Sequence, residues 1–259
     1  MRRYPAQRLV CLTEETVETL YLLGEEDRIV GVSGYAVRPP RVRKEKPRVS
    51  SFTSADVARI AALKPDLVLA FSDIQGPIIP ELARAGLSVY LFNQRDLAGI
   101  FAMIRTLGAL IGCSEKAGAL ARDLEARLAG IAAETRGHTI RPRVYFEEWD
   151  SPMISGIGWV SELIEIAGGT DIFADLSKKP EAKERIVTSE QVIERRPDVV
   201  LASWCGKKVR VESFGTREGW GEIPAIKTGR IVEIKSPLIL QPGPAALTDG
   251  LDAIRAALQ

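Results

Sequence analysis

Aromatic rings and carboxylates directly follow several of the predicted β-strands. In open α/β sheets, ligands bind beyond the carboxyl ends of the strands. The candidate ligand-binding residues at such positions are Glu14, Glu15, Phe71, Ser72, Glu147, Glu148, Trp149, Trp204 and Cys205. Aromatic faces beside carboxylates predict a site for a bulky, flat or cage-like small molecule, held by stacking and polar contacts.

These residues also have structural interpretations. Phe71 and Trp204 follow the two copies of a repeated segment, one and two residues after its last alanine, and we expect their rings to contact ligand rather than cover the core. Trp149 and Trp159 are further candidates, because the intervening residues 151–158 are rich in Pro, Gly and Ser and are expected to be exposed. A glutamate in the first turn of a helix also stabilises the positive helix end, so a ligand role for the four glutamates stays open.

The sequence indicates neither catalysis nor a metal held by the protein. Cys205 is a candidate soft ligand for a bound metal centre, although cysteine more often packs as a small hydrophobe. His138 is the single histidine and lies in a predicted surface segment, so no Ser–His or Cys–His pair is indicated. We expect no catalytic residues, no metal-ligating residues and no intrinsic cofactor, the chain being a binding protein and not an enzyme.

Composition places the chain among ordinary globular proteins. It has 259 residues, of which 46% are hydrophobic and 27% charged, enough for one large domain or two modest ones. Lys and Arg total 35 against 34 Asp and Glu, and this balance argues against a nucleic-acid partner. No segment approaches the ~20 continuous apolar residues that span a bilayer. The first residues show no signal-peptide pattern, which predicts a cytoplasmic chain or one whose leader was removed.

A repeat organises the elements that position these residues. Thr53 and Ser54 begin a helical pattern that ends in KPDLVLA, and Thr188 and Ser189 begin one that ends in RPDVVLA. In both copies we expect the hydroxyl residue to cap a helix, the proline to end it and the apolar run to form a buried parallel strand. The repeat predicts two similar α/β lobes.

A second pair of matched helices ends at Gly24 and Gly168, where glycine stops a helix before the next strand. Between the halves, residues 97–111 and 115–135 have helical spacing, and Gly112 leaves open one kinked helix or two helices. Alternating strands and helices predict parallel sheets flanked by helices. The predicted parts are an N-terminal α/β lobe (residues 1–95), a helical bridge (96–138) and a C-terminal α/β lobe (139–259).

Several strings resemble one protein family. VSSFTSADVARIAALKPDLVLAFS, residues 49–72, is similar to the N-lobe of ABC-transporter solute-binding proteins for vitamin B12 and iron siderophores. SGIGWVSELIEIAGGTDIF, TSEQVIERRPDVVLASW and PGPAALTDGLDAI resemble the C-lobe, so the resemblance spans nearly the whole chain. It implies a class III periplasmic-binding-protein fold, with two Rossmann-like lobes joined by a long bridging helix and the ligand held between them.

The resemblance also implies a function. The family's corrin-stacking aromatics carry over by position to Phe52 and Phe71, with Trp204 as the nearest counterpart in the second lobe. We expect a monomer, periplasmic or extracytoplasmic, that captures a bulky metal complex, above all a corrinoid such as cobalamin, for uptake by an ABC permease. Glu81 and Glu222 are the candidate permease-docking residues. Siderophore or haem ligands stay open, as does a cytoplasmic corrinoid- or chelate-handling enzyme, or a ligand sensor, that reuses the fold.

Overall fold

The computed structural model describes residues 4–259, and the chain divides into two compact units. Unit 1 comprises the chain up to Gln94 together with Ala98–Asp123, and unit 2 comprises Arg95–Leu97 together with Leu124–Gln259. Within residues 4–259, no helix has the length and apolarity needed to cross a membrane. The predicted division into lobe, bridge and lobe stays a prediction.

Unit 1 is built on a five-stranded parallel sheet. Its strands are β1 (Leu9–Cys11), β2 (Ile29–Ser33), β3 (Arg48–Ser50), β4 (Leu67–Phe71) and β5 (Val89–Phe92). Their spatial order is β3-β2-β1-β4-β5, and every neighbouring pair is parallel. Strand β1 is central and fully buried, as expected where helices cover both faces of a sheet.

Five short helices and two long ones accompany this sheet in the chain. They are α1 (Glu14–Leu22), α2 (Val42–Glu45), α3 (Val57–Ala62), α4 (Ser72–Gln75), α5 (Ile79–Arg84), α6 (Leu97–Ile111) and α7 (Ser114–Thr135). Gly112 separates the two long helices with a φ of 73°, a left-handed conformation that glycine adopts without strain. The sequence left one kinked helix or two helices open, and the structure has two.

The capping predictions have different outcomes in the two repeats. Thr188 caps its helix as predicted, because its hydroxyl oxygen accepts a hydrogen bond from the backbone N–H of Gln191. The prediction for Thr53 and Ser54 is wrong, since Asp56 caps α3 by accepting from the backbone N–H of Arg59 at 2.9 Å. Residues 51–54 form a bend instead, in which the backbone N–H of Ser51 donates to the backbone oxygen of Ser54 at 2.8 Å, so α3 begins later than its hydroxyl residues suggest.

Unit 2 contains a mixed five-stranded sheet. Its strands are β6 (Arg143–Asp150), β7 (Met153–Ser155), β8 (Thr170–Asp171), β9 (Val199–Ala202) and β10 (Ile231–Glu233). The order is β10-β9-β6-β7 with β8 beside β6, and all pairs are parallel except β6 with β7. Its further helices are α8 (Gly158–Ile166), α9 (Ala174–Ser177), α10 (Ser189–Arg195), α11 (Pro224–Lys227), α12 (Ser236–Ile239) and α13 (Leu251–Leu258).

The β6–β7 hairpin corrects one part of the sequence interpretation. Glu147, Glu148 and Trp149 were expected to follow a strand, but β6 continues through them to Asp150 and pairs back on β7. The antiparallel partner supplies hydrogen bonds that extend the strand, and the sequence interpretation did not include β7. The predicted α/β class with parallel sheets is otherwise confirmed.

Candidate functional site

A buried glutamine joins three segments at the strand ends of unit 1. Gln75, at the end of α4, is 1% exposed. Its Nε2 donates to the backbone oxygens of Leu12 and Phe52, and its Oε1 accepts from the backbone N–H of Phe71, each at 3.0 Å. These three residues lie at the ends of β1, β3 and β4. The sequence analysis missed Gln75, since an isolated glutamine carries no recognisable pattern.

Three aromatic rings lie near strand ends of unit 1. Phe52 and Phe71 are at ends that Gln75 joins, and Tyr35 follows β2. Phe52 is half-buried, and its ring meets the ring of Tyr35 edge to face, with centroids 6.4 Å apart. Tyr35 follows β2 and is 47% exposed, and the sequence analysis did not select it. Phe71, the last residue of β4, is only 7% exposed. In unit 1 the accessible aromatic surface at the strand ends is therefore provided by Tyr35 and Phe52 more than by Phe71.

Ser72 shapes the turn that leads from β4 into α4. The residue is fully buried and has a φ of 61°, in the left-handed region where a side chain costs about 1 kcal/mol or more. Its Oγ accepts from the backbone N–H of Ile74 at 3.2 Å. This turn starts α4 immediately after the strand and brings Gln75 back to the end of β4.

Two neighbouring carboxyls begin α1, directly after the central strand. Glu14 is 7% exposed and Glu15 1% exposed. Burial raises the pKa of Glu14 to about 8, assisted by the nearby carboxyls of Glu15 and Glu18. Burial also raises the pKa of Glu15 to about 7, although the Thr13 hydroxyl, which donates to Glu15 Oε1 at 2.6 Å, acts in the opposite direction. Near neutral pH both carboxyls therefore have protonated and ionised forms.

In unit 2, Glu147 is the centre of a buried polar network. Its carboxylate is fully buried and accepts two hydrogen bonds from Arg217, at 2.6 and 2.8 Å. The indole N–H of Trp204 and the hydroxyl of Tyr145 each donate to it at 3.1 Å. Both carboxylate oxygens are thus engaged within unit 2. The geometry supports a structural role for Glu147, and its predicted contact with ligand is not favoured.

Glu148 is also held by an internal ion pair. Arg185 donates to its two oxygens at 2.6 and 3.2 Å, and the same guanidinium donates to the backbone oxygen of Ser155. The Arg185 side chain is almost completely buried. Removing one partner of a buried ion pair destabilises the folded protein, because the other charge is left buried and unpaired. Glu148 therefore has a structural role and is not free to bind a ligand.

Two of the predicted tryptophans lie in the interior of unit 2. Trp204 is 2% exposed, and its ring stacks on Phe214 with centroids 6.1 Å apart. Trp159 is 3% exposed and donates its indole N–H to the backbone oxygen of Ile239 at 2.8 Å. The expectation that Trp159 is exposed is wrong, because α8 begins at Gly158 and turns the ring inward. Ligand stacking on either ring stays a prediction that this burial does not favour.

Trp149 and Cys205 remain accessible in unit 2. Trp149 is half-buried, and the Lys207 ammonium lies 4.1 Å from its ring centroid while pairing with Asp150 at 2.5 Å. Cys205 is exposed in the loop that follows β9. A cation over a tryptophan face is a favourable contact. In unit 2 the accessible Trp149 ring is therefore partly covered by Lys207. Lys207 was not among the residues predicted from the sequence.

Two α/β units whose strands end at aromatic and carboxyl side chains define a class of protein that binds small molecules at the strand ends. Residues 9–238 match the model of the periplasmic binding protein family. The chain belongs to this family and is a solute-binding protein, which confirms the resemblance and the class III fold inferred from the sequence.

Relatives of this chain bind different macrocycles. A cobalamin-binding protein of Halobacterium salinarum is 28% identical over 248 residues, which cover 92% of this chain and 66% of that protein. The structure of the periplasmic vitamin B12 binding protein BtuF of Vibrio cholerae is 25% identical with a TM-score of 0.77, covering 98% of this chain and 97% of that one. The apo structure of the periplasmic heme-binding protein RhuT from Roseiflexus sp. RS-1 is 26% identical with a TM-score of 0.82, covering 98% and 100%.

Replacing Gln75 tests whether its amide holds the three strand ends. We expect Gln75→Leu to lower the free energy of unfolding by about 2–5 kcal/mol, because a leucine of similar size leaves buried backbone groups unpaired. Urea denaturation followed by circular dichroism measures this change. Gln191→Leu is the matched control, since Gln191 is exposed and its side chain makes one capping hydrogen bond. A loss for Gln75→Leu no larger than that for Gln191→Leu would contradict this role.

The raised pKa values of Glu14 and Glu15 predict a pH-dependent stability. Both lie above the ordinary value of 4.5, so the folded state binds more protons than the unfolded state between that value and about 8. This contribution is complete below pH 4.5 and is lost as the pH rises towards 8. We expect wild type to lose several kcal/mol, on the order of 5, relative to Glu14→Gln/Glu15→Gln between about pH 5 and about pH 9.

Urea titrations at several pH values measure this difference. Glu115→Gln is the control, because Glu115 is exposed on α7 and its removal is expected to leave the wild-type pH profile unchanged. Parallel profiles for wild type and the double variant would show that the two carboxyls titrate normally.

Proposed function

We propose that this chain reversibly captures a corrinoid, most specifically cobalamin, for uptake by an ABC transporter, without chemically converting it. The observation that carries the proposal is the accessible aromatic surface at the strand ends of unit 1, where Phe52, whose backbone oxygen is held by Gln75, lies edge to face with the exposed Tyr35. Aromatic faces of this kind stack on flat, conjugated ligands. The names of the Halobacterium and Vibrio relatives support a corrinoid as the ligand.

Unit 2, taken by itself, also carries accessible aromatic and polar groups. Trp149 and Lys207 lie together, and the exposed Cys205 is two residues from Lys207. Lys207 is 41% exposed, so a ligand can displace it from the tryptophan face at small cost. From the sequence-selected set we propose Phe52 and Phe71 as ligand contacts in unit 1, with Tyr35 added from the structure. In unit 2 we propose Trp149 and Cys205, with Lys207 added. Ser72 is fully buried and its hydroxyl serves the turn into α4, so it is not proposed as a contact.

A porphyrin is the second candidate ligand. The Roseiflexus relative is a heme-binding protein whose fold and length match this chain closely. A porphyrin is also flat and conjugated, so stacking alone does not distinguish it from a corrin. The two ligands differ in the groups at the edge of the macrocycle, so polar residues at the site must determine which of them is bound more tightly.

Binding measurements test the proposed function directly. We expect cyanocobalamin to quench tryptophan fluorescence with a dissociation constant of micromolar or below, about −8 kcal/mol or better. Phe52→Ala is expected to weaken binding by about tenfold, because it removes a stacking surface. Tyr90→Ala is the control, since Tyr90 is 37% exposed in the middle of β5 and not at a strand end.

The absence of cobalamin binding at tens of micromolar, with hemin bound instead, would favour the porphyrin. Equal losses for Phe52→Ala and Tyr90→Ala would remove Phe52 from the site. Mass spectrometry of the ligand after incubation checks the further expectation that cobalamin is recovered unchanged.

Docking on a permease is proposed to use acidic side chains of both units. Glu81 is exposed on α5, and Glu222 is 79% exposed and pairs with Lys227 at 2.5 Å. We propose that a monomer works outside the cytoplasmic membrane, where a permease can receive the ligand. Such surface charges act on association more than on ligand affinity.

Charge reversal tests this docking proposal. Glu81→Lys and Glu222→Lys are expected to reduce cobalamin uptake into membrane vesicles that carry the permease severalfold, with an unchanged dissociation constant for cobalamin. Glu115→Lys, an exposed reversal on α7, is the control. Uptake equal to that of wild type in both variants would exclude these two glutamates as docking residues.

A further inference from the structure

The Glu14 and Glu15 carboxyls have hydrogen-bonding capacity that unit 1 does not use. Glu15 Oε1 receives the Thr13 hydroxyl, but Glu15 Oε2 is completely buried and has no hydrogen-bond partner among residues 4–259. Glu14 lies close to Glu15 with 7% exposure, so it is the more accessible of the two residues. A buried acceptor without a partner is costly and requires an explanation, and a hydrogen bond from a bound ligand is one that would satisfy it.

No cation balances this pair within residues 4–259. Glu14 is influenced by its burial and by the carboxyls of Glu15 and Glu18, and Glu18 is itself paired with Arg38 at 2.8 Å. Burial raises the pKa of the Cys11 thiol, which is hydrogen-bonded to Thr16, and the charge of Lys46 opposes this rise. Lys46 is not among the groups that shift the pKa of Glu14 or Glu15. The Thr13 hydroxyl and the positive end of α1 favour the ionised carboxyls, and the helix end acts against a cationic ligand group at this point.

The chemistry of a carboxyl pair selects among ligand edges. An ionised carboxylate accepts hydrogen bonds only, whereas a protonated carboxyl accepts one and donates one. A primary carboxamide carries N–H donors and a carbonyl acceptor, so it pairs with either form. A ligand carboxylate instead brings a further negative charge into a buried, acidic site and is repelled whenever Glu14 or Glu15 is ionised.

We propose that Glu14 and Glu15 form a specificity site that accepts a carboxamide-edged macrocycle and rejects a carboxylate-edged one. The proposal rests on the proposed function, because it takes the macrocycle to lie at the strand ends of unit 1. Corrinoids such as cobalamin carry carboxamides around the ring, whereas the edge of haem carries carboxylates. The pair therefore distinguishes the two ligand classes that aromatic stacking leaves unresolved.

A matched pair of corrins tests the proposal. Dicyanocobinamide carries carboxamides at its edge, and dicyanocobyrinic acid carries carboxylates on the same macrocycle. We expect wild type to bind the carboxamide form at least about tenfold more tightly at about pH 8, and this ratio to shrink severalfold in Glu14→Gln and Glu15→Gln. Affinity for the carboxylate form is expected to fall as the pH rises from about 6 to about 9 in wild type, and to fall less in each variant, which keeps one of the two carboxyls. Fluorescence titration at each pH measures the affinity for both corrins.

The control variant is Glu115→Gln, which removes the same charge from an exposed position of α7 and is expected to keep the wild-type ratio. Thermal melts of each variant verify that it is folded at the titration temperature. Equal affinities for the two corrins, or a ratio that Glu14→Gln and Glu15→Gln leave unchanged, would overturn the specificity site while leaving corrin binding intact. Failure of wild type to bind either corrin would instead overturn the proposed function.

Discussion

The three hydrogen bonds of the Gln75 amide are the interaction on which the unit 1 site depends. A buried amide has to satisfy both its donors and its acceptor, and here all three partners are backbone groups at strand ends. Three segments distant in sequence are thereby held in one arrangement. Phe52 is held at this edge of the sheet, because its backbone oxygen accepts one of the three hydrogen bonds.

Unit 2 has a comparable arrangement with a different chemical result. Glu147 is also buried, within β6 and opposite the last residue of β9, and it also collects hydrogen bonds from several segments. Its partners include the guanidinium of Arg217, so the charge is neutralised and the carboxylate is fully used. The Glu14–Glu15 pair of unit 1 has no such cation within the described residues. We infer that Glu147 stabilises unit 2, whereas the unit 1 pair keeps its capacity for a ligand.

The sequence could predict the elements better than the positions of individual side chains. Apolar runs such as LVLA and VVLA indicate buried strands, and Gly24 and Gly168 end their helices with positive φ as expected. Trp159 and Trp204 were harder to place, because a tryptophan beside a strand end or a glycine-rich loop packs inward or outward according to its three-dimensional neighbours. Glu147 and Glu148 resembled free carboxylates because their arginine partners are distant in sequence. Gln75 lacked any local signal at all.

Amide hydrogen exchange with and without cobalamin tests most directly whether the ligand occupies the strand ends that Gln75 joins. Cobalamin bound there is expected to slow exchange in the segments around residues 12–16, 51–54 and 71–75, where the strand-end backbone groups would become sequestered and less mobile. Protection confined to other segments, with these three unchanged at saturating cobalamin, would contradict it.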